Sequence, residues 1–193
     1  MASATEEKIA LMRKLCPFLP SKGPSAVWKD FNPSQRTFTD IGMDIEYNHP
    51  IAVRDGIVLR ADIYLPHDRA TDSKLPVVLA ITPYGKQSPF DVSLIPESRD
   101  FDAGLNGIIC SRYAPFEGSD PYFWTRQGFA YVVADARGSY ASEGEFLSFV
   151  SKLDGLDAHD IVEYLGTQPW SNGKVGMIGA SALGAIQWCV CFR

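Results

Sequence analysis

Polar and apolar positions alternate most regularly in "IAVRDGIVLRADIYLP", residues 51–66. Ile57, Leu59, Ala61, Ile63 and Leu65 are apolar between mostly polar neighbours, and Asp55-Gly56 supplies a turn ahead of them. That pattern predicts an antiparallel hairpin with one buried face. Two later runs, "LPVVLAIT" (75–82) and "FAYVVAD" (129–135), are almost continuously apolar, as expected of parallel strands covered by helices on both sides. A third buried run, Val175–Ile178, leads through a glycine turn into a segment with helical character that begins at Ser181.

Helical patterning falls between these runs. Asp120, Pro121 and Gly128 mark the cap, first turn and stop of a short helix, and Asp154 is the expected N-cap of a second, with Ala158, Ile161 and Leu165 as its apolar stripe and Gly166 and Pro169 ending it. Near the N-terminus, Ser3 and Glu6 suit a capping box for a short amphipathic helix (Ile9, Leu11, Met12, Leu15) that Pro17 ends. An irregular stretch is expected from there to about Thr39. The aromatic-rich segment between Thr82 and the Asp120 cap is too long for a simple connection and is expected to form part of a substrate cleft. The alternation of elements predicts an α/β sheet, mostly parallel, with an antiparallel hairpin at one edge. Residues 1–39 form an extension and 40–193 the body of the fold.

Composition narrows the function classes. With 193 residues, of which 46% are hydrophobic and 21% charged, the chain suits one globular domain. A net charge of −5 without a Lys/Arg cluster argues against a nucleic-acid groove or an anionic membrane surface. No run approaches the roughly eighteen apolar residues of a membrane span, and Glu6 and Glu7 stand where a secretory leader would be basic. Cys16, Cys110, Cys189 and Cys191 have neither disulfide-framework nor zinc spacing, so a reducing, cytoplasmic setting is expected. Asp154, Asp157 and Asp160 are read as acids of a helix's first turns rather than as a metal cluster, because residues three apart drift around the helix. No metal or cofactor is expected.

Candidate chemistry centres on "KVGMIGASALGAIQW", residues 174–188. Ser181 lies between a strand and a helix, and Gly179, Ala180, Ala182 and Gly184 surround it. A nucleophile elbow needs such small neighbours, because its tight turn strains the serine and brings helix and strand close. The simple G-x-S-x-G pattern is displaced, with Leu183 in the last glycine position. A serine in the strand-helix turn of any α/β protein is the alternative. Tyr84 in "TPYGK" follows the end of a buried strand as Ser181 does, and ligands of such sheets gather at those ends.

The stretch 154–188, together with "DARGSYASEGEF", "TPYGK" and "VRDGIVLRADIYLP" upstream, resembles the Xaa-Pro dipeptidyl-peptidase-like serine hydrolases, the group of cocaine-esterase and CocE/NonD-type acyl hydrolases. The resemblance covers about residues 45–190 and implies an α/β-hydrolase fold, here incomplete and ending just after the elbow. The family elbow, Gly-x-Ser-Tyr-x-Gly, accounts for the displaced glycine through Gly179, Ser181 and Gly184. By the resemblance Ser181 is the nucleophile, the Ala182 N–H and the Tyr84 hydroxyl form the oxyanion hole, and Asp135, Arg137 and Gly138 of the family's D-x-R-G are structural. Alanine at 182 replaces the family's tyrosine, which keeps the backbone donor and alters packing.

In this superfamily the acid and histidine of the triad follow the serine, yet "ALGAIQWCVCFR" contains neither. His49, His67 and His159 read as surface or capping residues. The expectation is therefore a serine hydrolase acting on a small acyl ester or peptide amide, with its triad partners missing from this chain. The alternatives are an inactive fragment or pseudoenzyme that only binds, and complementation in trans by a second polypeptide. An interior strand left at the sheet's edge would favour self-association.

Overall fold

The alternating run builds the centre of a six-stranded sheet. The computed structural model describes residues 34–87, 110–147 and 150–191; the expected N-terminal helix and much of the aromatic segment lie outside them. Strands β1 (Arg36–Asp40), β2 (Met43–Ala52), β3 (Val58–Pro66), β4 (Leu75–Thr82), β5 (Ala130–Asp135) and β6 (Ser171–Met177) alternate in their second half with helices α1 (Pro121–Arg126), α2 (Lys152–Gly166) and α3 (Ser181–Cys191). The order across the sheet is β1-β2-β3-β5-β4-β6. Neighbours are antiparallel from β1 through β3 to β5, and β5, β4 and β6 run parallel.

Alternation and continuity sort the strands as their burial requires. In β3, β5 and β4, Leu59, Ala61, Ile63, Val132, Ala134, Leu79 and Ile81 turn to one face, where Ala158, Ile161 and Leu165 of α2 and Ile186 of α3 cover them. The opposite face carries Met43, Ile45, Tyr64, Val78, Ala80, Tyr131 and Val133, with Ala182 and Leu183 of α3 packed beside them. All six residues of β5 are buried, which is why its sequence shows no alternation. Each aliphatic side chain buried in this way contributes about 1.5–3 kcal/mol before the entropy of ordering is subtracted.

Two expectations are corrected. The irregular stretch ends before Thr39, because Arg36–Asp40 is already a strand paired with Met43–Tyr47 of β2. The N-cap of α2 is Ser151 rather than Asp154: the Ser151 hydroxyl accepts from the Asp154 N–H at 3.2 Å and donates to the Asp154 carboxylate at 2.7 Å. Helix α1 begins as expected, with the Asp120 carboxylate accepting from the Tyr122 N–H at 2.9 Å.

The acids of α2 are committed to separate partners. Asp157 accepts two hydrogen bonds of 2.7 Å from Arg137, and Asp160 pairs with Arg54. Arg137 also bonds Asp55 at 2.9 and 3.1 Å, so one guanidinium joins the β2–β3 turn, the loop after β5 and α2. Gly138 makes that loop possible. Its φ is +67°, and a Cβ there would lie 2.1 Å from the Phe146 nitrogen.

At the other edge, β6 pairs with β4. Among the described residues no strand covers its outer side, and Asn172, Gly173, Lys174 and Gly176 are exposed.

Candidate active site

Because β4 and β6 are parallel neighbours, their C-terminal ends deliver two segments to the same rim of the sheet. Leu79 pairs with Met177, and the Ile178 N–H extends the ladder to the Leu79 carbonyl at 2.9 Å. Three residues later the chain enters α3 at Ser181, whose φ is +50°. A serine in the left-handed region is held there at a cost of about 1 kcal/mol or more, which the surrounding packing must supply. The glycines explain how. A Cβ at position 179 would come within 2.3 Å of the Leu183 Cβ, and one at 184 within 3.1 Å of the Gly179 carbonyl oxygen. The displaced glycine is therefore the contact that lets α3 start directly over the end of β6. Ser181 is exposed and Ala182 buried, and the Ala182 N–H lies in the first helical turn, where backbone donors have no intrahelical acceptor.

Tyr84 is fixed from three sides. Its N–H donates to the Thr82 hydroxyl at 3.0 Å, its ring meets the Phe116 ring edge-on at 5.2 Å between centroids, and its side chain is buried. Two residues on, Lys86 anchors the loop: its N–H and Nζ donate to Asp135 at 2.8 and 3.0 Å, and Nζ lies 3.7 Å from Asp62. All three side chains are almost wholly buried. Burial pushes the Asp62 carboxyl up to about 6, against the opposing pull of Lys86 and the hydrogen bonds from the Asn48 N–H and the Gln87 side chain. Burial raises Asp135 as well.

A fourth residue, which the sequence did not single out, completes the arrangement. Glu117, in the loop before α1, has a φ of +58°. Its carbonyl accepts from the Ala180 N–H at 2.9 Å, tying the loop to the elbow. Burial lifts its carboxyl group above the ordinary glutamate value, against the opposing pull of the nearby Ser181 hydroxyl, Ala182 N–H and Tyr84 hydroxyl. The Oε2 atom is buried without a hydrogen-bond partner. Nothing local marks Glu117, which reads as one polar residue in a loop rich in Gly, Ser and Pro.

The three sequence-derived positions, Ser181, Ala182 and Tyr84, thus lie near one carboxyl group. Two of the chain's three histidines are hydrogen-bonded elsewhere, and the third, His159 on α2, has its Nδ1 buried without a hydrogen-bond partner. His49 bridges Glu46 at 2.5 Å and Tyr164 at 2.6 Å, His67 contacts Asp44 at 2.7 Å, and His159 lies 3.6 Å from both Asp160 and Glu163. Among the described residues no group of three His, Cys, Asp or Glu side chains is placed to hold a metal. An exposed serine beside a free helical backbone amide and a phenol is suited to acyl transfer.

Comparison with known proteins points the same way. A family model described as X-Pro dipeptidyl-peptidase (S15 family) matches residues 55–192. Cocaine esterase of Rhodococcus sp. (strain MB1 Bresler) is 33% identical over 149 residues, which cover 77% of this chain and 21% of that protein. A CocE/NonD family hydrolase from Staphylococcus aureus superposes with a TM-score of 0.67 at 28% identity, over 89% of this chain and 30% of the other. An alpha-amino acid ester hydrolase does so with a TM-score of 0.54 at 25% identity, over 86% and 26%. The chain spans about a fifth of the length of that curated relative.

Proposed function

As the chain belongs to the X-Pro dipeptidyl-peptidase (S15) family of serine hydrolases, we propose that Ser181 is its nucleophile and that the Ala182 N–H and the Tyr84 hydroxyl stabilise the oxyanion. The observation that carries this reading is the turn itself: Ser181 stands exposed at a φ of +50° where β6 passes into α3, with the Ala182 N–H in the first helical turn and Tyr84 just past the end of the neighbouring parallel strand β4. In the proposed reaction Ser181 Oγ attacks an acyl carbonyl and gives its proton to a base. The carbonyl oxygen takes the negative charge between Ala182 and Tyr84, the alcohol or amine departs with a proton, and water then releases the acid from the acyl-enzyme. The substrate is a small acyl ester or peptide amide; two of the three similar proteins above are named for esters. No Asp, Glu or His follows Ser181 here, and we assign the base and its orienting acid to sequence outside these 193 residues. Cys110, Cys189 and Cys191 are free thiols, which supports a reducing, cytoplasmic setting.

The engagement of His49 and His67 elsewhere, and the place of His159 between Asp160 and Glu163 on α2, favour a second reading, binding without turnover. A fluorophosphonate probe separates the two. A serine activated by a base and an oxyanion hole takes up the probe, whereas a serine that only lines a binding site does not. The probe is therefore expected to form its adduct on the peptide carrying Ser181, to form none there in Ser181→Ala, and to react about a hundredfold more slowly in Tyr84→Phe. An adduct spread over other serines, or none at all, would leave only the binding reading.

A further inference from the structure

A regular strand points residues i and i+3 to opposite faces of its sheet. Strand β2 departs from that rule. Glu46 pairs with Ile63 and His49 with Ala61, so Tyr47 and Asn48 together oppose Asp62. Asn48 holds a φ of +59°, and its N–H donates to the Asp62 carboxylate at 2.8 Å. This bulge reverses the strand's alternation, so that Ile45 packs on one face of the sheet and Ile51 on the other. Glu46 and His49 consequently share the face covered by α2. Bulges serve to re-aim side chains, and a non-glycine residue stays in the left-handed region only where its surroundings over-determine it.

The re-aimed pair completes a relay with Tyr164 of α2. Glu46 Oε1 lies 2.5 Å from His49 Nδ1, and His49 Nε2 lies 2.6 Å from the Tyr164 hydroxyl. A carboxylate only accepts, so Nδ1 carries the ring's proton, and Nε2 of the neutral ring accepts from the phenol. Burial, and after it the Glu46 charge, raises the Tyr164 phenol above its ordinary value, so the group needs a base before it can attack. The side chains of His49 and Glu46 are 18% and 26% exposed and Tyr164 is half-buried, which leaves the relay within reach of a small molecule. Tyr84 and Ala182 pack on the opposite face of the sheet.

We propose that Tyr164 is a second nucleophile, activated by the Glu46–His49 pair, that takes an acyl group from a neutral activated donor such as an aryl ester or thioester. A hydroxyl within hydrogen-bond reach of a base that a third group orients is the general arrangement for activating a nucleophile. Tyr164 Oη bonds the acyl carbon, and the bond from that carbon to the leaving oxygen or sulfur breaks. The phenol proton passes to His49 Nε2 and from there to the leaving group or to water. The transfer runs forward when the leaving group is no more basic than a phenol, and the Glu46 carboxylate disfavours an anionic donor. The product is an O-acyl tyrosine.

This reaction is independent of Ser181, and its test removes that serine. The 193-residue chain carrying Ser181→Ala is treated with p-nitrophenyl acetate, and acetylation at each tyrosine is followed by mass spectrometry of its peptides. Tyr164 is expected to react about a hundredfold faster than Tyr122, a tyrosine that is also half-buried but whose hydroxyl accepts from Arg126 at 2.8 Å. Adding His49→Gln, which can still bond the phenol but is a poor base, is expected to abolish that advantage, and Tyr164→Phe to remove this label alone. Acetylation of Tyr164 no faster than of Tyr122, or an advantage that persists in a folded His49→Gln variant, overturns the proposal. The comparison with Tyr122 lies within one protein, so it decides the matter even where the His49 variant fails to fold.

Discussion

Ser181 and Tyr84 take their positions from residues that do no chemistry. Leu183 excludes a side chain at 179, and the Lys86–Asp135 pair fixes the loop two residues past the tyrosine. Placing Asp62 and Asp135 around one lysine, all nearly inaccessible, has a consequence that can be measured. The Asp62 carboxyl sits at about 6 in the fold against 3.8 ordinarily. A raised value means that the folded state holds the proton more tightly, so this contribution to stability is full below about pH 4 and is lost as the pH rises through 6. Two units correspond to about 3 kcal/mol at most. In Asp62→Asn that loss is absent. Urea unfolding at pH 4 and pH 7 is expected to show the variant gaining on the wild type by up to about 3 kcal/mol between the two; parallel pH profiles would contradict it.

At the scale of elements, what the sequence reveals depends on how local the cause is. The Asp55-Gly56 hairpin, the runs that become β4 and β5 and the Asp120-Pro121 start of α1 are encoded by neighbours in the chain, and each was legible. Strand β1 was not, because "RTFTD" is short and mostly exposed and owes its conformation to pairing with β2. Nor was the insertion of β5 between β3 and β4, which only tertiary packing decides. Ser151 displaced Asp154 as the cap of α2 by one helical turn, since either residue type suits that position. Ser181, Ala182 and Tyr84 stand in spaced motifs that the sequence displays, whereas the approach of Glu117 to the elbow, through the bond from the Ala180 N–H to its carbonyl, comes only with the fold. Among the described residues no strand pairs with the outer side of β6, which leaves it open to intermolecular pairing. Sedimentation velocity of the 193-residue chain is expected to show association that grows with concentration and weakens in Gly176→Lys, where a side chain meets no atom within 4 Å. A monomer at every concentration would contradict that role for β6.

At the scale of the molecule, the site is a product of parallel topology. Strands β4 and β6 end at one rim, so a tyrosine from one crossover and a helix start from the next meet although 97 positions separate Tyr84 from Ser181. The same sheet supports the Glu117 loop through Tyr131, whose hydroxyl lies close to Gly118. Membership of the S15 family and the likeness to a CocE/NonD hydrolase agree with this assembly. The most direct measurement is the crystal structure of the chain after reaction with a fluorophosphonate. The proposed mechanism predicts a phosphonyl group on Ser181 Oγ, its oxygen about 2.7–3.1 Å from both the Ala182 nitrogen and the Tyr84 hydroxyl. A phosphonyl oxygen pointing to solvent, or an adduct on another residue, would contradict it.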